Sequence, residues 1–221
     1  MAHDLAALRA EQRIIAERVV RTDALGPVRA IAGVDVSCAR FDPTRMVHAA
    51  VVVLAWPSLE VIETAAVSQP APLPYLTGLL SFREMPALLV AWARLSARPD
   101  LVMVDGQGIA HPRRCGIAAH LGVALDLPSI GVAKSRLVGE PEAALGDAAG
   151  SEVRVLDRGE TVGALLRTRG GANPLHVSIG HRVSLETALG WVRATGRGRR
   201  LPEPTRLAHE AAGMVRRAAP A

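Results

Sequence analysis

Apolar and charged positions alternate at helical spacing over residues 4–20, where Leu5, Leu8, Ile15 and Val19 form one stripe and Asp4 is placed to cap the first turn. Gly26-Pro27 ends that segment. Three strand-like runs follow: Ala30–Ala39, Val47–Trp56 and Leu59–Ser68. Only Pro57-Ser58 separates the last two, which predicts a tight turn and antiparallel pairing. From Gln69 to Thr77 the chain carries Pro70, Pro72 and Pro74, and a stiff, extended loop is expected. A helix is predicted from near Glu84 through Leu95, with Pro86 in its first turn. Leu101–Val104 and Ser129–Ala133 read as short strands buried on both faces, with a helical segment at Gly116–Leu125 between them.

The order β-β-β-α-β-α-β predicts an α/β fold: three antiparallel strands, then parallel strands joined by crossover helices, in a mixed sheet flanked by helices on both faces. Beyond it, Gly139–Gly150 reads as a connector and Glu152–Leu156, Val162–Arg169 and Leu175–Ile179 as further strands. Ser184 can cap a helix over Leu185–Arg193, and a Gly/Arg loop (Arg193–Arg200) leads to a last helix from about Thr205. These are C-terminal additions to the sheet. With no internal repeat, the 221 residues are expected to form a single domain, 1–221.

Composition narrows the class. The longest uncharged apolar stretch, Ala49–Trp56, is far short of the roughly 20 residues a membrane helix needs. Asp4, Arg9, Glu11 and Arg13 interrupt the N-terminus where a secretory signal would be apolar, so a cytoplasmic protein without a membrane partner is expected. Cys38 and Cys115 are too few for a disulfide framework and lack zinc-ligand spacing. A net charge of +5 and a pI near 10.4 suit a polyanionic partner. Six aromatic side chains argue against a single-strand binder built on a row of stacking rings. Of the 26 basic residues only one, at position 134, is lysine, and Tyr75 is the one tyrosine.

Three carboxylates stand out. Asp35 lies within the apolar run Ile31-Ala32-Gly33-Val34-Asp35-Val36-Ser37, where an unpaired charge is costly, and alternation puts it on one face with Gly33 and Ser37. Asp105 closes a buried strand at its C-terminal end, where open sheets gather ligands. Glu84 stands at the predicted start of the intervening helix. Converging, the three could hold a hard cation such as Mg²⁺, which takes oxygen ligands and keeps several waters. Taken singly, Asp105-Gly106 also reads as a turn and Glu84 as a helix-dipole partner.

The loop Gly106-Gln107-Gly108-Ile109-Ala110-His111-Pro112-Arg113-Arg114 offers His111 for proton handling and Arg113 and Arg114 for phosphate contacts. Lys134 ends a core strand in a chain that otherwise uses arginine. Its compact ammonium can orient a water or touch one phosphate oxygen as a planar guanidinium cannot.

Together, Gly33-Val34-Asp35, the run from Pro74 to Glu84 (PYLTGLLSFRE), Val104-Asp105-Gly106-Gln107-Gly108, His111-Pro112-Arg113-Arg114, Gly131-Val132-Ala133-Lys134-Ser135 and Ser178-Ile179-Gly180-His181-Arg182 resemble the endonuclease V family, in order, over about residues 28–209. The resemblance implies a ribonuclease H-like fold and a Mg²⁺-dependent endonuclease, with Mn²⁺ able to substitute. It would recognise deoxyinosine, the deamination product of adenine, and cut the second phosphodiester bond 3′ to it, leaving 3′-hydroxyl and 5′-phosphate ends. It implies that Asp35 and Asp105 ligate the metal, that Glu84 completes the shell directly or through water, and that Lys134 positions the attacking water or the scissile phosphate. It places His209 close to the metal and makes Tyr75 a wedge pushed into the duplex, on a loop with Leu76 and Thr77. Thr77 departs from the family's proline.

A base pocket made of backbone at Gly78, Leu80 and Gly106 would read the extruded hypoxanthine, whose O6 accepts and whose N1–H donates. Inosine-containing DNA is the expected partner of a monomeric protein. Two alternatives stand beside it: an endoribonuclease acting on inosine in RNA, and a non-catalytic binding protein for inosine-containing nucleic acid. The second predicts loss of a carboxylate, and all three are present.

Overall fold

The computed structural model describes residues 4–38 and 45–219. The apolar stripe near the N-terminus forms α1 (Leu5–Glu17), capped as expected by Asp4, whose Oδ1 accepts from the backbone N–H of Ala6 and Ala7. The three strand-like runs become β1 (Ala30–Ser37), β2 (Met46–Ala55) and β3 (Val61–Pro70), an antiparallel trio. Ala39, the expected end of the first run, lies outside the described residues.

The turn after β2 is wider than two residues. Leu59 takes a positive φ of 61° and its N–H bonds back to Ala55, so the third strand starts at Val61.

Next come α2 (Leu80–Ala93), β4 (Leu101–Val104), α3 (Ile117–Leu125) and β5 (Ser129–Ala133). The predicted start of α2 is corrected here. The helix begins four residues before Glu84, so Glu84 falls in its second turn and Pro86 inside it. An interior proline costs about 3 kcal/mol through its missing N–H. Burial of Met85, Ala87, Leu88 and Ala91 against the sheet offsets that cost, at roughly 1.5–3 kcal/mol per large side chain.

The C-terminal part adds β6 (Glu140–Pro141), β7 (Glu152–Asp157), β8 (Glu160–Leu166), β9 (Leu175–His181), α4 (Leu185–Ala194) and α5 (Glu203–Ala218). The short β6 falls in the stretch read as a connector.

The nine strands among the described residues form one sheet in the order β3-β2-β1-β4-β5-β9-β8-β7-β6. The β1–β4 and β4–β5 pairs are parallel, and β9 pairs antiparallel with β5. The expected mixed sheet is thus present, extended on one side by a meander.

Helices α2 and α3 cover one face over Ala32, Val34, Val51, Val53, Val102 and Val104. On the other face, α4 packs over Ile31, Leu101, Met103, Ile130 and Val132, and α5 over Ala50, Val52 and Leu54. Among the described residues no helix is long and apolar enough to cross a membrane.

Candidate active site

Register builds the site. In the parallel β1–β4 pair Val34 faces Val104, and the N–H of Asp105 continues the ladder by donating to the Val34 carbonyl at 2.9 Å. Asp35 and Asp105 therefore emerge side by side at the C-terminal end of the two central strands.

Alternation along β1 sends Gly33, Asp35 and Ser37 to the face covered by α5. That helix answers each of them in turn, with Pro204 against Gly33, His209 Nδ1 2.6 Å from Asp35 Oδ2, and Arg216 Nε donating to Ser37 Oγ at 2.9 Å. Lys134, just past β5, places Nζ 2.5 Å from Asp105 Oδ2 and 3.3 Å from His209 Nδ1.

Asp35, Asp105 and His209 each offer one ligand atom within 4.8 Å of the others. The other Asp35 oxygen accepts from the Val36 N–H at 2.8 Å. Burial and the neighbouring Asp105 carboxylate raise the Asp35 pKa, opposed by His209 and Lys134. Glu84, nearly buried, is raised to about 8 by desolvation and then by Asp35, with a smaller push from Asp105; the Arg83 guanidinium partly opposes the rise. Glu84 stands outside the close group of Asp35, Asp105 and His209 but near enough that the three carboxylates repel one another. That is the electrostatic condition a bound cation relieves.

Beside this cluster opens a cavity of about 420 Å³, and Asp105 and Lys134 line it together with Tyr75, Thr77, Gly78, Leu80, Gly106 and Gln107. Tyr75 is 66% exposed. Its loop is held at both ends: Arg83 Nη1 donates to the Leu73 carbonyl at 2.6 Å, and the Gly78 carbonyl accepts from Arg113 Nη2 at 2.5 Å and from His111 Nε2 at 3.1 Å. Gly78 has a φ of +78°, which only glycine adopts without strain, and this turn leads straight into α2. These anchors do not involve Thr77. Leu76 is half-buried and its carbonyl accepts from the Leu79 N–H.

Three residues of the Gly/Arg loop are placed differently from the sequence expectation. His111 is buried, and burial with the Arg113 charge lowers its pKa to about 4, so it is neutral. Nε2–H serves Gly78 and Nδ1 accepts from the Arg113 N–H, so both His111 nitrogens are engaged in holding the Tyr75 loop. Arg113 is spent on Gly78 and on Gln12 Oε1, at 2.6 Å. Arg114 is neutralised by Asp157 at 2.7 Å and Glu160 at 2.6 Å. All three brace the loop from inside.

Sequence reasoning missed Gln12. It is fully buried on α1, with Nε2 donating to the Cys115 carbonyl at 3.0 Å and Oε1 taking Arg113. The available signal was a polar residue on the stripe between Leu8 and Ile15. Arg200 was also missed as a positioning group: its Nη2 donates to the Lys134 carbonyl at 3.0 Å and its Nε to the Asn173 carbonyl at 2.9 Å.

Acids at the C-terminal ends of the central strands of a ribonuclease H-like sheet, joined by a histidine and a lysine, define a metal-dependent nuclease. The family model for endonuclease V matches residues 13–210. The endonuclease V of Gloeobacter violaceus is 53% identical over 207 residues, spanning 94% of this chain and 84% of that protein. Among solved structures, the endonuclease V of Streptomyces avermitilis superposes with a TM-score of 0.92 at 38% identity, covering all of this chain and 96% of its own. That of Ciona intestinalis, in complex with a 23-mer DNA containing an inosine followed by a ribo-adenosine, gives 0.84 at 27% identity, with 98% and 99% covered. The chain belongs to the endonuclease V family.

Proposed function

We propose that this protein nicks DNA at the second phosphodiester bond 3′ to a deoxyinosine, leaving 3′-hydroxyl and 5′-phosphate ends, with Mg²⁺ as its cofactor and Mn²⁺ able to replace it. The observation that carries this reading is that Asp105 and Lys134 belong at once to the acidic cluster and to the wall of the cavity beside the Tyr75 loop. A base in that cavity brings its own strand to the acids.

The donor set fits a hard cation. Asp35 and Asp105 would hold it through carboxylate oxygens, Glu84 would complete the shell directly or through water, and His209 would stand at its edge. When bound, the ion supplies an activated water and polarises the phosphodiester.

The remaining work falls to the chain. His209 Nδ1 and the Val36 N–H fix the Asp35 carboxylate in one orientation. Lys134 carries a compact positive charge at the cavity rim, suited to one oxygen of the scissile phosphate or to the attacking water. Tyr75 fills the gap that an extruded base leaves in the stack, and Gly78, Leu80 and Gly106 close around the base. Arg113 and His111 hold that loop through the Gly78 carbonyl, and Arg114 holds the His111 carbonyl in turn. The protein acts as a monomer in a reducing cytoplasm, to which its unpaired Cys38 and Cys115 are suited.

The test is a nicking assay on matched DNA and RNA oligonucleotides, each with a single inosine, with and without Mg²⁺. Metal-dependent nicking of the DNA at the stated bond supports the reading. Cleavage confined to RNA replaces it with an endoribonuclease, and binding without cleavage replaces it with a non-catalytic binder.

A further inference from the structure

Helix α1 points its first turns at the end of the sheet that carries the acids. Gln12 lines the cavity and bonds the Cys115 carbonyl, just ahead of α3. Further along α1, Ile15 and Val19 pack in one cluster with Val123, near the end of α3. The chain after α1 is tied to the opposite end of the sheet, where the Val20 N–H donates at 3.2 Å to Nδ1 of His181, the partner of Ser129 at the start of β5. Residues of α1 before Gln12 therefore extend past the start of α3, toward the Tyr75 loop.

Arg9 and Arg13 flank Gln12 there, and both are exposed. At 3.6 residues per turn they fall within about 40° of each other, with Glu11 on the far side of the helix. Among the described residues neither guanidinium has an ion pair or a side-chain hydrogen bond. Their nearest charged neighbour is of the same sign. Burial, and then the Arg9 and Arg13 charges, hold the Arg113 guanidinium below its usual range, and Arg113 is already committed to Gln12 and Gly78. Like charges four residues apart on a helix repel, so this arrangement costs stability in the free protein.

We propose that Arg9 and Arg13 form a clamp for the DNA backbone on the 5′ side of the extruded nucleotide; this rests on the reading that the protein nicks DNA 3′ to a deoxyinosine. Phosphate relieves the repulsion and takes the guanidinium fork in its preferred geometry. The side follows from the layers. Asp35 faces the layer of α5, whereas α3 covers the other face of the sheet and α1 packs on α3. With the base in the cavity, the strand that leads 3′ runs to the acids, and the strand that leads 5′ leaves past α1. Such contacts fix register on the duplex and carry no sequence information.

The experiment compares wild type with Arg9→Gln/Arg13→Gln, with Arg9→Lys/Arg13→Lys, and with Arg98→Gln, an exposed arginine just ahead of β4 at the opposite end of the sheet. Two duplexes carry one deoxyinosine each; in the second, the phosphates flanking it on the 5′ side are neutral methylphosphonates. Affinity across a salt series, saturating single-turnover nicking and thermal melting are read for each. The glutamine pair is expected to weaken binding to the first duplex by about 10- to 50-fold at low salt and to make the salt dependence shallower by about 1–2. Its loss is expected in Kd more than in the saturating rate. The lysine pair should keep the salt dependence, and Arg98→Gln should bind as wild type does. On the methylphosphonate duplex the difference between wild type and the glutamine pair should disappear. Melting of the glutamine pair is expected at or above the wild-type temperature, since a repulsion has been removed.

Unchanged affinity of the glutamine pair for the inosine duplex overturns the clamp, and so does a loss that persists in full on the methylphosphonate duplex. Either result leaves the proposed function standing, provided that wild type nicks at inosine. Absence of inosine-dependent nicking by wild type overturns both.

Discussion

A Cβ on Gly33 would lie 1.8 Å from the carbonyl oxygen of Pro204, so β1 and the start of α5 touch backbone to backbone at this point. Further along the same helix, that close seat brings His209 onto Asp35 and Arg216 onto Ser37. Gly33→Ala must push α5 away from the sheet. A backbone shift of this kind costs about 1–3 kcal/mol, equivalent to a melting temperature lower by roughly 2–10 °C. Thermal melting and nicking should both fall, whereas Gly26→Ala, with open space around it, should change neither.

Asp35→Ala and Asp105→Ala each remove a carboxylate from the cluster that would hold the cation. Nicking with Mg²⁺ should fall by about 100-fold or more, while affinity for an inosine duplex measured by gel shift changes little. Normal cleavage by either variant would sink the metal assignment.

Tyr75 stands exposed on a loop pinned through Leu73 and Gly78, so its removal leaves the pocket in place. A ring that fills a gap in the base stack is worth about 1–3 kcal/mol. Tyr75→Ala is therefore expected to weaken binding to an inosine duplex by about 5- to 100-fold and binding to a single strand much less. Equal losses on the two substrates, in a fluorescence titration, would remove the wedge.

Lys134 has room for a compact ammonium between Asp105 and His209, at 2.5 and 3.3 Å. A guanidinium is broader and delocalised. Lys134→Arg should hold DNA normally and nick it slowly, read as lower single-turnover rates at unchanged Kd. Rates near wild type would mean that lysine at this position is incidental.

Acid stability follows from His111 and His120, both lowered to about 4 by burial, with the Arg113 charge adding to the shift at His111. In the unfolded chain each takes a proton below about 6.5, and in the folded chain only near 4. Their contribution is complete above pH 6.5 and is lost as pH falls from 6.5 to 4, because over that window the unfolded state binds more protons. Urea midpoints should drop between pH 7 and pH 5 by the equivalent of about 1–2 kcal/mol per histidine. His120→Leu should flatten part of that slope; a slope unchanged by the substitution would show that His120 is already protonated in the fold.

Much of the site is legible because its chemistry is expensive. A carboxylate inside an all-apolar strand needs a reason, and Asp35 announces the site from the sequence alone. Asp105 is marked by the short buried strand it closes, and the register of β1 with β4 supplies the rest. Glu84 was legible as an acid but not as a buried one, since the helix starts at Leu80 and carries it into its second turn.

His111, Arg113 and Arg114 show what residue type alone leaves open. Their residue types suggest phosphate and proton chemistry, yet Gly78, Gln12, Asp157 and Glu160, all distant in sequence, claim their donors first.

By itself the sequence determined the order of strands and helices apart from the short β6, the three acids, the lone lysine and the lone tyrosine, because hydrophobic periodicity and residue chemistry are local properties. Only the tertiary structure decided that His209 on α5 meets Asp35 on β1, that Gln12 and Arg113 pin the Tyr75 loop through Gly78, and that Asp105 and Lys134 share one cavity wall. Those outcomes depend on which groups pack together across long sequence separations. Each donor is assigned to the partner that burial places nearest.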